Sequence, residues 1–148
     1  MTHKNDNRYK MIFNHPTMLR QLMENFVNEP FVKELDFSTS ERVDKSFITK
    51  SFRKKESDFI YKIKYRDKFV YIYILIEFQS TVDRFMALRI LRYICEFYEH
   101  LTSTGLKKLP SVFPILLYNG ESKWTGKINI NELIQADIPG NYIPDFSY

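Results

Sequence analysis

The sequence predicts a mixed α/β fold: an antiparallel β-hairpin, a crossover helix and a strand parallel to the hairpin's second arm, with further helices flanking the sheet. Three observations predict it. Residues 59–65 alternate in side-chain character and residues 69–78 are dense in β-branched and aromatic residues, with only Arg66-Asp67-Lys68 between them; so short a gap leaves room for a hairpin and nothing longer. A helical apolar pattern then fills residues 81–101. A third strand-like run, Val112 to Tyr118, follows, and the order strand–helix–strand makes the last strand parallel to its predecessor through a right-handed crossover.

The elements follow in order. Residues 1–13 form a polar lead with some helical character. Asn14-His15-Pro16 marks a helix start, proline being favoured near the first helical position. Met18, Leu19, Leu22, Met23, Phe26 and Val27 then recur at helical spacing as one apolar stripe, with Arg20, Gln21 and Glu24 on the other side. Pro30 stops this helix, and Phe31, Val32 and Leu35 predict a short second helix or turn. A Ser/Thr cluster at 38–40 leads into residues 41–49, which are assigned to the first strand. In the helix over 81–101, Phe85, Leu88, Leu91, Ile94, Cys95, Phe97, Tyr98 and Leu101 exceed what one stripe needs. Arg89, Arg92, Glu96 and Glu99 alone make a clear polar face, so the helix is expected to be covered on more than one side, with Cys95 an inert core residue. Gly105 ends it, and Asn119-Gly120 closes the following strand. Beyond Trp124 no closing element is predicted. No repeat or linker divides the chain, which is expected to be a single domain over 1–148 and the N-terminal part of something longer.

Composition excludes several classes. Hydrophobic residues make up 44% and charged residues 27%, a globular balance and not a disordered one. The longest apolar run, Phe69 to Ile76, is eight residues, far short of a membrane-spanning helix. The lead is polar and unlike a secretory signal. The single cysteine, Cys95, excludes an internal disulfide or a multi-cysteine metal site. A soluble cytoplasmic protein without membrane association is expected. Aromatic residues reach 16%, which we attribute to a coding bias toward Phe, Tyr, Ile, Lys and Asn. His3, His15 and His100 are scattered without ligand spacing and fit surface or capping roles. Charge is unevenly placed. Lys50, Arg53, Lys54, Lys55, Lys62, Lys64, Arg66 and Lys68 face only three acidic residues between positions 50 and 68, so the segment carries +5 of a net +4 and the remainder sums to −1. Such a concentration attracts polyanions, or simply forms a solvated face.

A two-residue turn at Asp67-Lys68 would pair residues whose numbers sum to 135, setting Asp58 opposite Glu77 and Glu56 opposite Gln79. One face is then wholly apolar, from Phe59 and Tyr61 to Ile76 and Phe78. The other carries Glu56, Asp58, Lys62, Lys64, Glu77 and Gln79, with Ile60, Tyr71, Tyr73 and Leu75 between them. Directly opposed carboxylates, with Cβ atoms about 5 Å apart, destabilise a strand pair unless one is protonated, a cation lies nearby, or a metal is shared. Mg²⁺ suits the last case, because it takes oxygen ligands and binds through one or two carboxylates plus substrate phosphates. Gln79 could orient a water through its amide but cannot take a proton at neutral pH. The alternative is an exposed Asp58 and a Glu77 paired with Lys62, Lys64 or a helix arginine.

These residues resemble a known signature. Asp58, followed after the hairpin by Glu77-Phe78-Gln79, resembles the catalytic pattern of PD-(D/E)XK phosphodiesterases. The segments HPTMLRQLM (15–23), ELDFSTSERV (34–43), ESDFIYKI (56–63), YILIEFQSTVDRFMALRIL (73–91) and LPSVFPILLYNGESKW (109–124) resemble the recombination-promoting nucleases, also called YhgA-like. The resemblance implies a restriction-endonuclease-like fold and an endonuclease that cuts DNA with Mg²⁺ or Mn²⁺. Carried over by position, it makes Asp58 and Glu77 metal ligands and puts Gln79 where the wider superfamily has lysine. Glutamine there is usual for the nearer family, and leaves Gln79 to position water while another group takes the proton. Glu24 matches the place where related folds add an acidic ligand. Lys50, Arg53, Lys54, Lys55, Lys62 and Lys64 become the expected phosphate contacts, and helix 81–101 the expected face of a homodimer. The alternative implied function is an inactive nuclease fold that binds DNA or protein. A DDE-type transposase ranks last, since it needs another fold and a third acid that has no match here.

Overall fold

The computed structural model describes residues 8, 11–15, 17–44, 58–77, 81–135 and 137–148. Four strands, β1 (Leu35–Arg42), β2 (Asp58–Tyr65), β3 (Lys68–Glu77) and β4 (Val112–Tyr118), form one sheet in the order β1-β2-β3-β4. Among the described residues the sheet is accompanied by the helices α1 (Met18–Phe26) and α2 (Met86–Ser103) and by 3-10 turns at Pro30–Glu34 and Ile130–Leu133, and residues 8 and 11–13 are helical as well. β1 runs antiparallel to β2, and β2 returns as β3 through a two-residue turn. β4 follows the crossover helix and is parallel to β3. The Tyr71 N–H donates to the Ser111 carbonyl and the Asn119 N–H to that of Glu77, so both strands advance together. This mixed sheet is consistent with a restriction-endonuclease-like fold.

The chain forms two compact units, Met1–Ile74 with Pro110–Phe113, and Leu75–Leu109 with Pro114–Tyr148. In the first, α1 buries Leu19, Leu22 and Met23, the i, i+3, i+4 face expected of it, while Phe26 at the end of the stripe stays exposed. Phe13 stacks on Phe59 with ring centroids 4.8 Å apart, and the Tyr61 hydroxyl donates to the Phe13 carbonyl at 2.5 Å. Phe31, in the 3-10 turn that Pro30 opens, meets the edges of Tyr65 and Phe113.

The first strand lies earlier than 41–49; of that range, residues 45–49 lie outside the described residues. The polar cluster 38–40, read as a lead-in, is part of the strand and bends it. Leu35 and Asp36 pair with Tyr65 and Lys64, but Glu41 and Arg42 pair with Lys62 and Tyr61, so extra residues bulge between them. The Ser38 N–H and Oγ donate to Asp36 Oδ1, Thr39 Oγ1 to the Asp36 carbonyl and Ser40 Oγ to the Phe37 carbonyl. Short hydroxyl side chains thus satisfy backbone and side-chain groups where the ladder is interrupted.

The hairpin turn is Arg66-Asp67, one residue before the expected Asp67-Lys68. Arg66 adopts φ 54°, unusual for a non-glycine residue, and its guanidinium grips Glu34 through two bonds of 2.5 and 2.9 Å. A turn one residue earlier moves each partner counted from it by two positions, so the turn does not set Asp58 directly opposite Glu77. The face expected to be polar is not solvated either: Ile60, Tyr71, Tyr73 and Leu75 are each buried.

In the second unit, α2 starts at Met86 and not at 81. Its buried residues Met86, Ala87, Ile90, Tyr93, Ile94, Phe97 and Leu101 make one stripe, while Leu88 and Cys95 are exposed. Among the described residues the helix is therefore covered on one side and not on several, and Cys95 is not a core residue. Thr104 caps the helix and Gly105 follows at φ 85°. A closing element also exists after Trp124. Asn129 bridges antiparallel to Ser147, the Ile130 N–H donates to the Phe146 carbonyl, and Trp124 Nε1 donates to the Tyr148 hydroxyl at 3.1 Å.

Candidate active site

Ionisable side chains are rarely buried, because withdrawing a charge from water costs several kcal/mol unless a partner compensates. Among the described residues, the buried polar or charged ones are Asp58 and Glu77, 3% and 5% exposed.

Asp58 opens β2 in the first unit. The buried Tyr73 hydroxyl, on the neighbouring strand, donates to its Oδ2 at 3.4 Å, a long bond. Asp58 is therefore buried, and not the exposed residue of the alternative.

Glu77 ends β3 in the second unit, where a strand of seven consecutive buried residues stops. Arg89 Nη2 donates to its Oε2 at 2.5 Å, and Arg89 Nη1 to Asp83 Oδ2 at 3.1 Å. Asp83 in turn accepts the Phe85 N–H at Oδ1, 2.9 Å away, and so secures the turn from which α2 starts. Burial works against the Arg89 charge, but Glu77 and Asp83 outweigh it and hold its pKa above the ordinary guanidinium value. Of the partners the sequence offered Glu77, the helix arginine is the one the fold selects. Arg89 and Asp83 were not singled out as site residues, although both lie within the EFQSTVDRFMALR segment; i to i+6 spacing across a helix start has no period to detect.

Gln79, Lys50, Arg53, Lys54 and Lys55 lie outside the described residues. Lys64 is exposed on β2. Lys62 is half-buried, 3.5 Å from Glu41, with its ammonium 4.5 Å above the Phe69 ring, and so already has both a counter-ion and a π-face. Glu24 is exposed and bonded by Arg20 at 2.9 Å. It lines a cavity of about 750 Å³ with Lys33, Asp36 and Phe37. No group of three or more His, Cys, Asp or Glu gathers as a metal cluster among the described residues. No helix among them is long and apolar enough to cross a membrane.

The donor chemistry of the two buried residues suits a hard divalent ion, since carboxylate oxygens are what Mg²⁺ and Mn²⁺ take. Residues 3–148 match the family described as "Putative transposase, YhgA-like". The chain belongs to that family. This YhgA-like chain is 32% identical over 114 residues to "Inactive recombination-promoting nuclease-like protein RpnE" of Escherichia coli (strain K12), covering 77% of this chain and 38% of that protein. It is 31% identical over 115 residues to "Recombination-promoting nuclease RpnA" of the same strain, covering 78% and 39%. Against "Recombination-promoting nuclease RpnD" of Escherichia coli O157:H7 it is 31% identical over 116 residues, covering 78% and 45%. The YhgA-like chain thus spans less than half the length of these curated relatives. No solved structure is significantly similar to it.

Proposed function

We propose that this YhgA-like chain is a DNA endonuclease dependent on Mg²⁺ or Mn²⁺, acting in the cytoplasm on phosphodiester bonds. The observation that carries the reading is the burial of Asp58 and Glu77. The two acids of the nuclease signature are also the two charged residues that the described fold withdraws from water, and groups kept buried at such cost cluster at functional sites. Asp58 and Glu77 would hold the ion. When bound, a divalent ion supplies an acidified water and neutralises charge on the phosphoryl group. Gln79 orients the attacking water through its amide, and its lack of basicity leaves the proton to another water or a substrate phosphate. The basic residues Lys50, Arg53, Lys54, Lys55 and Lys64 neutralise DNA phosphates as the duplex approaches.

The test is nicking of supercoiled plasmid with Mg²⁺ or Mn²⁺, with and without EDTA. Asp58→Ala or Glu77→Ala abolishes metal-dependent nicking, a fall of at least about 100-fold, while DNA binding in EDTA survives. Cleavage retained in either variant removes the role given to that residue. Gln79→Ala lowers turnover more than metal affinity; equal losses make it a ligand instead. A second reading is a nuclease fold that binds DNA or protein without cutting. It is favoured by one observation, that a relative as similar as the named nucleases is called inactive. Plasmid left intact by the unaltered chain in both metals, with DNA still bound, selects it.

A further inference from the structure

Glu77 does not stand bare in this fold. Arg89 Nη2 lies 2.5 Å from its Oε2, and Arg89 is held from behind by Asp83 at 3.1 Å. Its side chain is only 17% exposed. Two features separate this arrangement from an ion pair that merely braces the fold. Among the described residues the seat leaves one donor over: Arg89 Nε is buried and has no hydrogen-bond partner there, whereas a bracing buried pair needs its remaining donors bonded. The charges also do not cancel, since one guanidinium against two carboxylates leaves one net negative charge, so the cluster still attracts a cation. A guanidinium can neither coordinate a metal nor shed its proton. An ion arriving at Glu77 therefore meets a fixed positive charge on the same carboxylate, in a setting where water screens little.

We propose that Arg89, seated by Asp83, is the resident counter-ion of Glu77: it fills the carboxylate's cation position and sets the affinity at which a divalent ion takes it. This rests on the reading of Glu77 as a metal ligand. It also explains why glutamate, aspartate and arginine stand together in EFQSTVDRFMALR, for the three side chains form one chain of bonds from the end of β3 to the first turn of α2. Arg89 is on this view a positioning residue, and it makes a prediction of sign. Removing its charge leaves two unopposed carboxylates and tightens metal binding. Neutralising Asp83 leaves Arg89 undivided on Glu77 and weakens it. A pair serving only stability would move both variants the same way.

The experiment is calorimetric titration of the full chain with Mn²⁺ alone, without DNA, with melting in EDTA as the control for folding. Arg89→Met is expected to bind Mn²⁺ about tenfold tighter and Asp83→Asn about tenfold weaker, changes of the size that groups bonded to metal ligands produce. Arg89→Lys, which keeps the charge, stays close to the unaltered chain. Equal or weaker binding by Arg89→Met overturns the proposal, as does a shift of Asp83→Asn in the same direction. If Arg89→Met fails to fold, the other two variants decide: weaker binding by Asp83→Asn beside an unchanged Arg89→Lys supports the proposal, and unchanged binding by Asp83→Asn overturns it. If the unaltered chain binds no Mn²⁺, binding gained by Arg89→Met supports it, and binding by neither overturns both it and the metal reading. Glu77→Gln separates the two failures. Binding retained there sinks the metal reading itself, whereas binding lost there with Arg89→Met unchanged sinks only the counter-ion.

Discussion

Tyr61 shows how a single buried polar atom ties the N-terminal residues to the sheet that carries Asp58. Its hydroxyl donates to the Phe13 carbonyl, and burial, opposed by the nearby Arg42 charge, pushes its pKa up to about 12. The folded state therefore favours the neutral phenol. That stabilisation is complete below the ordinary phenol pKa near 10 and is lost as pH rises from there through about 12. Urea denaturation should show Tyr61→Phe to be weaker by roughly 1–2 kcal/mol at pH 8, the cost of leaving a buried carbonyl unpaired. The gap between the two proteins should shrink as pH passes from 10 to 12; a constant gap across that range would remove the hydroxyl from the account. At this scale the sequence was informative about chemistry and poor on partners. Asp58 and Glu77 stood out because carboxylates interrupt apolar strands and match a nuclease signature. Arg89 did not, because its bond to Glu77 depends on α2 beginning at Met86, after Asp83 has turned the chain.

Elements were legible where a period or a punctuating residue fixed them. Gly105 is such a residue. It follows α2 at φ 85°, and a Cβ added there would meet nothing within 4 Å, so the only penalty for a side chain is the left-handed backbone. Gly105→Ala should cost about 1 kcal/mol, measured by chemical denaturation, with no change in the spectrum of the folded state; a neutral result would mean that the helix end relaxes. The hairpin was legible as a hairpin and misplaced by one residue for a reason of the same kind. Nothing local marks Arg66 as a left-handed turn residue, and the carboxylate that grips it belongs to Glu34, 32 residues earlier. β1 was misplaced because hydroxyl side chains in a bulge look like a loop until their bonds to Asp36 and Phe37 are seen. α2 was overcounted, since an apolar residue on a helix is no proof of burial: Leu88 is 51% exposed.

At the scale of the molecule, strand order and direction followed from connection lengths alone. A two-residue turn forces antiparallel neighbours, and an 18-residue helix between β3 and β4 permits parallel ones. Charge is the other property belonging to the whole chain, and it separates the basic residues into two kinds. Lys50, Arg53, Lys54 and Lys55 contribute to the +5 of residues 50–68, whereas Lys62 is engaged by Glu41 and by the Phe69 ring. Each phosphate neutralised on duplex DNA releases counterions and contributes roughly 0.9 to the slope of log affinity against log salt. Replacing Lys50, Arg53, Lys54 and Lys55 together by glutamine should therefore flatten that slope by up to about 3.6 if each meets a phosphate. Lys62→Gln should leave it nearly unchanged, because an ammonium already neutralised by a glutamate has little left to give a phosphate. Filter binding across a salt series, in EDTA to prevent cleavage, measures both. A flattening of about 0.9 from Lys62→Gln alone would mean that Glu41 releases Lys62 when DNA binds, and would move the DNA contact onto the strands of the hairpin.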